Sequence, residues 1–264
     1  MKHGIVIYLS FCFVLVTLCG CSSKLNPITV RTAQESNKHL KYEQDSLSNF
    51  LLYQGFVVQF NSEKKVPNYT IHRIVPCQLK DSNKLEARRS DDFGVDARIS
   101  QYSATRADYF KSGYDRGHLV PAGDFIYSQA LKDETFTYSN VSPQLKEVNR
   151  YGWKYLEMAI RKRVKRCNCE AYVITGAHFL ENHKLIGFNK IGVPNQLYKI
   201  VFFPKRAKMY AFLMNNNTDR YLGKLKYYQV TVDELEEMLQ IDFFEALEDK
   251  NENCLEREFK RFKG

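Results

Sequence analysis

Apolar and polar positions divide this chain into blocks of different period. "GFVVQFN" and "YTIHRIV" are rich in β-branched and aromatic residues and are separated by turn residues, which predicts two strands. "AYVITGAHF", "LYKIVFFP" and "KMYAFLMNN" predict three more strands, punctuated by Pro and Asn. "KLEARRSDDFGVDARISQYSATRADYFKSG" is long, polar and rich in Asp, Ser and Gly, and reads as a connecting loop. "YDRGHLVPAGDF" reads as a strand giving way to a loop. "EVNRYGWKYLEMAIRKRVKR" predicts a helix despite Gly152, and "TVDELEEMLQIDFFEALE" a second helix or helix pair, with Thr231 as cap and Glu234 three residues on. Strands forming a sheet core with helices packed on it define an α+β chain.

The first predicted helix carries a polar intrusion. On a wheel of about 100° per residue, Trp153, Leu156, Ile160 and Val164 form one apolar stripe. Asn149 falls inside that stripe, Glu157 beside Val164, and Arg161 at its far edge. An unpaired amide or carboxylate on a buried face costs on the order of several kcal/mol, so these groups must meet partners. The plain alternatives are a surface pair between Glu157 and Arg161, four residues apart, and Asn149 as a helix cap.

Composition changes the picture in three ways. The 264 residues suffice for one sizeable core or two small domains. The net charge of +9 favours polyanionic partners, nucleic acid or an anionic membrane surface. The opening "MKHGIVIYLSFCFVLVTLCGCSSK" has a basic start and an apolar run shorter than the roughly 20 residues of a membrane span, as in a secretory signal. Its "LCGC" ending resembles a bacterial lipoprotein cleavage box, with Cys21 as the lipidated first residue of the mature chain; Cys19 is an unusual occupant, and a plain secretory signal or an uncleaved anchor is the alternative. The expected organisation is a signal peptide over 1–20, a flexible tether over 21–48, a folded domain over 49–250 and a basic tail over 251–264. Export to the cell envelope, periplasm or cell surface, or secretion, follows from that reading. Outside the leader stand Cys77, Cys167, Cys169 and Cys254, which allow three pairings in an oxidising compartment. "CNC" is too tightly spaced for the usual zinc pair.

A lone histidine is more often structural than catalytic, and His72, His178 and His183 read that way. His118 differs because of what accompanies it. An imidazole base, an amide oxygen for a hard cation, a carboxylate and arginines are the parts that phosphodiester cleavage needs. "DRGHLVPAGDF", then "YSNVSPQ", then "NRYGWKYLE" closely resembles the DNA/RNA non-specific endonucleases, the endonuclease G-like family with a ββα-metal (His-Me finger) fold. "RRSDDFGVDARI", "VPNQLYKIVF" and "VTVDELEEMLQIDFF" extend the resemblance over roughly Phe50 to Leu247.

The resemblance implies a mixed or antiparallel sheet core with flanking helices. It also implies a role for each matching residue: His118 as general base, Asn149 as the direct magnesium ligand, Glu157 in ordering the ion's water shell. Arg116 and Arg161 would bind phosphate, Asn140 would be an active-site neighbour, and an upstream arginine, Arg88 or Arg89, would bind phosphate too. The implied cofactor is Mg2+, with Mn2+ or another divalent ion as alternatives. The implied substrates are DNA and RNA, cut to 5′-phosphate ends; a homodimer is a further implied partner. Two other functions fit parts of the chain. One is a non-catalytic polyanion-binding lipoprotein on the same scaffold. The other is a phosphodiesterase for small nucleotides or an envelope polymer, which the extended basic surface disfavours.

Overall fold

A computed structural model describes residues 48–80, 92–217, 224–243, 255–257, 259 and 261–262. The leader, most of the tether, Cys21, Arg88, Arg89 and Cys254 lie outside the described residues. Eleven strands are described: β1 (Ser48–Leu52), β2 (Phe56–Asn61), β3 (Val66–Ile74), β4 (Tyr114–His118), β5 (Val141–Leu145), β6 (Ala171–His178), β7 (Leu185–Ile186), β8 (Ile191–Gly192), β9 (Gln196–Phe203), β10 (Lys208–Asn215) and β11 (Gln229–Val230). Seven form one sheet in the order β1-β2-β3-β6-β9-β10-β11, and every pairing in it is antiparallel. The five strands expected from the apolar blocks are its inner members, β2, β3, β6, β9 and β10.

The sheet is covered on both faces, and strand alternation decides which residue goes where. In β9, Leu197, Val201 and Phe203 join the core beneath the helix Lys154–Cys167, against Trp153, Leu156, Ile160 and Val164. Tyr198, Ile200 and Phe202 point the other way and pack with Val232, Leu235 and Phe243, from and beyond the helix Val232–Leu239. That helix has the expected cap: Thr231 Oγ1 accepts from Glu234 N–H at 3.1 Å, and Glu234 accepts from Thr231 N–H at 2.7 Å. Each fully buried Leu, Ile or Val is worth about 1.5–3 kcal/mol, so these two layers supply much of the drive to fold. Phe262, in the stretch expected to be a basic tail, is buried on the first layer, 5.0 Å from the ring of Tyr210 and 5.4 Å from that of Phe212.

Two local expectations are modified. The polar connection before β4 contains a 3-10 segment, Ala97–Tyr102, and a short helix, Arg106–Tyr109, closed by a Thr105–Asp108 capping box. The first predicted helix is also not α-helical throughout: Val148–Trp153 is π-helical, and only from Lys154 does the α-helix run. Cys167 and Cys169 are disulfide-bonded at its end, where Asn168 takes the left-handed conformation, φ 47°. Among the described residues no helix is long and apolar enough to cross a membrane.

Candidate active site

Outside the large sheet, β7 pairs with β8, and β4 pairs with β5, with His118 opposite Val141 and Asp115 opposite Gln144. β5 then runs directly into the π turn and the helix. This strand–strand–helix unit carries His118, Arg116, Asn149, Glu157 and Arg161. Gly117 explains the third letter of DRGH: a Cβ there would lie 2.1 Å from the side chain of buried Gln144. Any larger residue would have to displace the Gln144 side chain.

His118 ends β4 in an aromatic setting. Its ring lies 5.0 Å from that of Phe93 and 4.9 Å from that of Phe136, the latter edge-on. Phe93 also takes the Arg116 guanidinium over its face at 4.4 Å. One ring therefore orders both side chains that β4 projects at alternate positions. Phe93 and Phe136 are held by backbone bonds between Gly94 and the segment Phe136–Tyr138, at 2.9 and 3.0 Å. Phe93 lies in a stretch that reads as polar loop; "DDFG" gives no signal beyond a single aromatic residue.

Asn149 sits in the π turn, half-buried. Its Nδ2 donates to Asp115 Oδ2 at 3.0 Å. An ionised carboxylate only accepts, so the amide nitrogen must face Asp115 and Oδ1 is turned away as an acceptor. Arg150 closes a two-pronged pair on the same carboxylate, at 2.7 and 2.8 Å. Burial acts to raise the Asp115 pKa, but the bonds from Arg150 and Asn149 outweigh it and hold the group below its ordinary value. Through Asp115, Asn149 is fastened to β4 three residues before His118. An outward-turned amide oxygen held by a carboxylate suits a hard divalent cation, which takes oxygen ligands and few protein groups.

Glu157 and Arg161 lie one helical turn apart, over a polar row in the sheet. Thr70, Thr175 and Lys199 stand in register on β3, β6 and β9, facing the helix. Lys199 is 1 % exposed; its Nζ donates to Thr175 Oγ1 at 2.6 Å and lies 5.0 Å from the Trp153 ring centre. Burial pushes the Glu157 carboxyl above its usual range, against the pull of the Lys199 and Arg161 charges. Burial pushes Lys199 down, against Glu157 and Asp124. Sequence reasoning misses Lys199, although a lysine at an inward position of "LYKIVFF" is a signal, because a fully buried lysine needs a compensating charge.

Arg161 Nη1 donates to Asp124 Oδ1 at 2.7 Å, and Asp124 Oδ2 pairs with His72 Nε2 at 2.8 Å. Asn140 is fully buried. Its Nδ2 donates to the carbonyls of Val120 and Thr135, both at 3.0 Å, and its Oδ1 accepts from Val120 N–H at 2.9 Å. Its amide is thus engaged by backbone, and it braces the segment that follows His118. His178 bonds Gln196 and His183 bonds the Leu180 carbonyl, both apart from this unit.

The chain is similar to known proteins over most of its length. Residues 35–250 match the family described as DNA/RNA non-specific endonuclease. Nuclease C1 of Cunninghamella echinulata var. echinulata is 30 % identical over 214 residues, 76 % of this chain and 84 % of the relative. Mitochondrial endonuclease G of Caenorhabditis elegans is 26 % identical over 249 residues, covering 85 % and 80 %. Among solved structures, the crystal structure of an EndoG/EndoGI complex superposes with a TM-score of 0.69 at 26 % identity, covering 76 % of this chain and 88 % of that one.

Proposed function

Since the chain belongs to the DNA/RNA non-specific endonuclease family and has its ββα-metal fold, we propose that it hydrolyses phosphodiester bonds of DNA and RNA with magnesium, leaving 5′-phosphate ends. The observation that carries this reading is the β4 strand: it bears His118 between two aromatic rings and, through Asp115, directs the Asn149 amide oxygen outward. Asn149 would hold the ion directly, with Glu157 accepting hydrogen bonds at its periphery. When bound, such an ion compensates charge on the phosphate and on the leaving oxygen.

The protein's own groups do the rest. His118, as neutral imidazole, takes a proton from the attacking water near physiological pH. Phe93 and Phe136 pack against the ring from two sides. Arg116 and Arg161 bind non-bridging phosphate oxygens and remain charged throughout. Contacts to phosphate carry no sequence information, which fits a substrate range spanning DNA and RNA. His118→Ala is expected to abolish nicking of supercoiled plasmid in magnesium while leaving binding of the same DNA nearly intact. Cleavage at the wild-type rate by the folded variant would remove His118 from the mechanism. EDTA is expected to stop turnover and magnesium to restore it. No cleavage of plasmid or RNA in magnesium would favour the non-catalytic polyanion-binding reading, and full turnover in EDTA would contradict the metal role of Asn149.

We also propose export and lipidation at Cys21, which rests on the leader and its "LCGC" box. Mass spectrometry of the mature N-terminus is expected to find an acylated Cys21; an intact Met1 would contradict it.

A further inference from the structure

We propose that Asp124 and His72 are positioning residues for Arg161: a buried relay from sheet to helix that fixes the guanidinium for phosphate. This rests on the reading of Arg161 as a phosphate contact. Asp124 closes the 3-10 turn Ala122–Asp124, six residues after His118, and is 5 % exposed. Its two oxygens serve different elements, Oδ1 accepting from Arg161 on the helix and Oδ2 pairing with His72 on β3. Gly123 lets the turn approach Arg161 closely, since a Cβ added there would stand 3.1 Å from Nη1. The guanidinium is therefore held against the backbone of the loop that leaves His118.

His72 completes the relay by being neutral. It is 3 % exposed, and its Nδ1 is buried with no hydrogen-bond partner among the described residues. The ring proton therefore belongs on Nε2, which donates to Asp124. Burial pushes the imidazole's pKa down, against the pull of Asp124. A neutral donor fixes the carboxylate without cancelling its charge, and that charge is left to Arg161. A protonated histidine there would compete for the same carboxylate and loosen the guanidinium. Burial tends to raise the Asp124 pKa, but the Arg161 charge and the His72 bond keep it below the ordinary value. The pair is thus ionic where Arg161 meets it and hydrogen-bonded where β3 meets it.

A merely structural ion pair would stabilise the fold to the same extent whatever Arg161 does in the reaction. A double-mutant cycle separates the two. Plasmid cleavage in magnesium is measured for wild type, Asp124→Asn, Arg161→Ala and the double variant, with folded fraction read by circular dichroism. Asp124→Asn is expected to lower kcat/KM about tenfold to a hundredfold, the scale of losing alignment by about an ångström. In the Arg161→Ala background the same change is expected to cost less than about twofold, because the two residues act as one unit. Equal losses in both backgrounds, or no loss from Asp124→Asn alone, would overturn the relay. No loss from Arg161→Ala would instead overturn Arg161 as a phosphate contact. If Asp124→Asn does not fold, His72→Phe, which keeps an aromatic ring and removes both nitrogens, the donor among them, takes its place in the cycle; a loss confined to the Arg161 background supports the relay, and equal losses or none overturn it.

Discussion

At the scale of single residues, one hydrogen bond sets which atom of an amide faces outward. Asp115 accepts from Asn149 Nδ2 and thereby turns Oδ1 outward. In Asp115→Asn the new amide can donate as well as accept, so Asn149 loses its reason to present oxygen rather than nitrogen. The magnesium concentration for half-maximal nicking is expected to rise about ten- to a hundredfold, the usual cost of losing a partner that orients a ligand. An unchanged magnesium titration would refute it. The sequence makes His118, Arg116 and Asn149 visible because their residue types and order are informative. It hides Asp115 within the same motif, because hydrogen-bond direction is set by a pairing 34 residues away. Phe93 is hidden more deeply, since nothing in a polar stretch says that its one ring will order two functional side chains. Asn140 shows the reverse: its place beside the motif is legible, but its use of the amide on the backbone of Val120 and Thr135 is not.

At the scale of elements, hydrophobic period predicts the inner strands and the helix well, because both are buried on faces that alternation and the 3.6-residue turn define. It misplaces Asn149 on the wheel, because Val148–Trp153 is π-helical and does not follow that period. π turns inside helices are rare and recur at functional sites, and no residue pattern announces one here. The inward lysine of β9 has a measurable effect on the helix above it. Glu157 is raised by burial and drawn back by Lys199 first, then Arg161 and Lys154, while Asp124 adds to the rise. Lys199→Met fills a similar volume and removes the leading opposing charge, so Glu157 moves further up. If Glu157 works as a carboxylate, the acid limb of the kcat/KM profile moves to higher pH and activity near neutrality falls several-fold. A limb that stays in place would show that Lys199 does not act on Glu157.

At the scale of the whole molecule, the acid limit of stability follows from its depressed carboxylates. Asp108, Asp115 and Asp124 lie below their ordinary values. For Asp96, burial acts upward, but bonds from Arg98 and Tyr53 prevail and hold it at about 2. A lowered folded-state pKa contributes stability that is present above the unfolded value, about 3.9, and is lost as pH falls through the folded one. Glu157 runs the other way: its raised value contributes below the unfolded pKa and fades as pH climbs through the folded one. The net expectation is a Tm that drops between about pH 4 and pH 2, with Asp96→Asn flattening part of the drop in calorimetry. A flat Tm across that window would refute it. The threonine–threonine–lysine line beneath the helix has one more consequence, for how the sheet assembles. If β9 slipped by one position against β6, the ammonium of Lys199 would be delivered to the opposite layer, among Tyr69, Ile174 and Phe243. A one-position misalignment is thereby penalised by a stranded charge, which favours the face assignment that the central strands adopt.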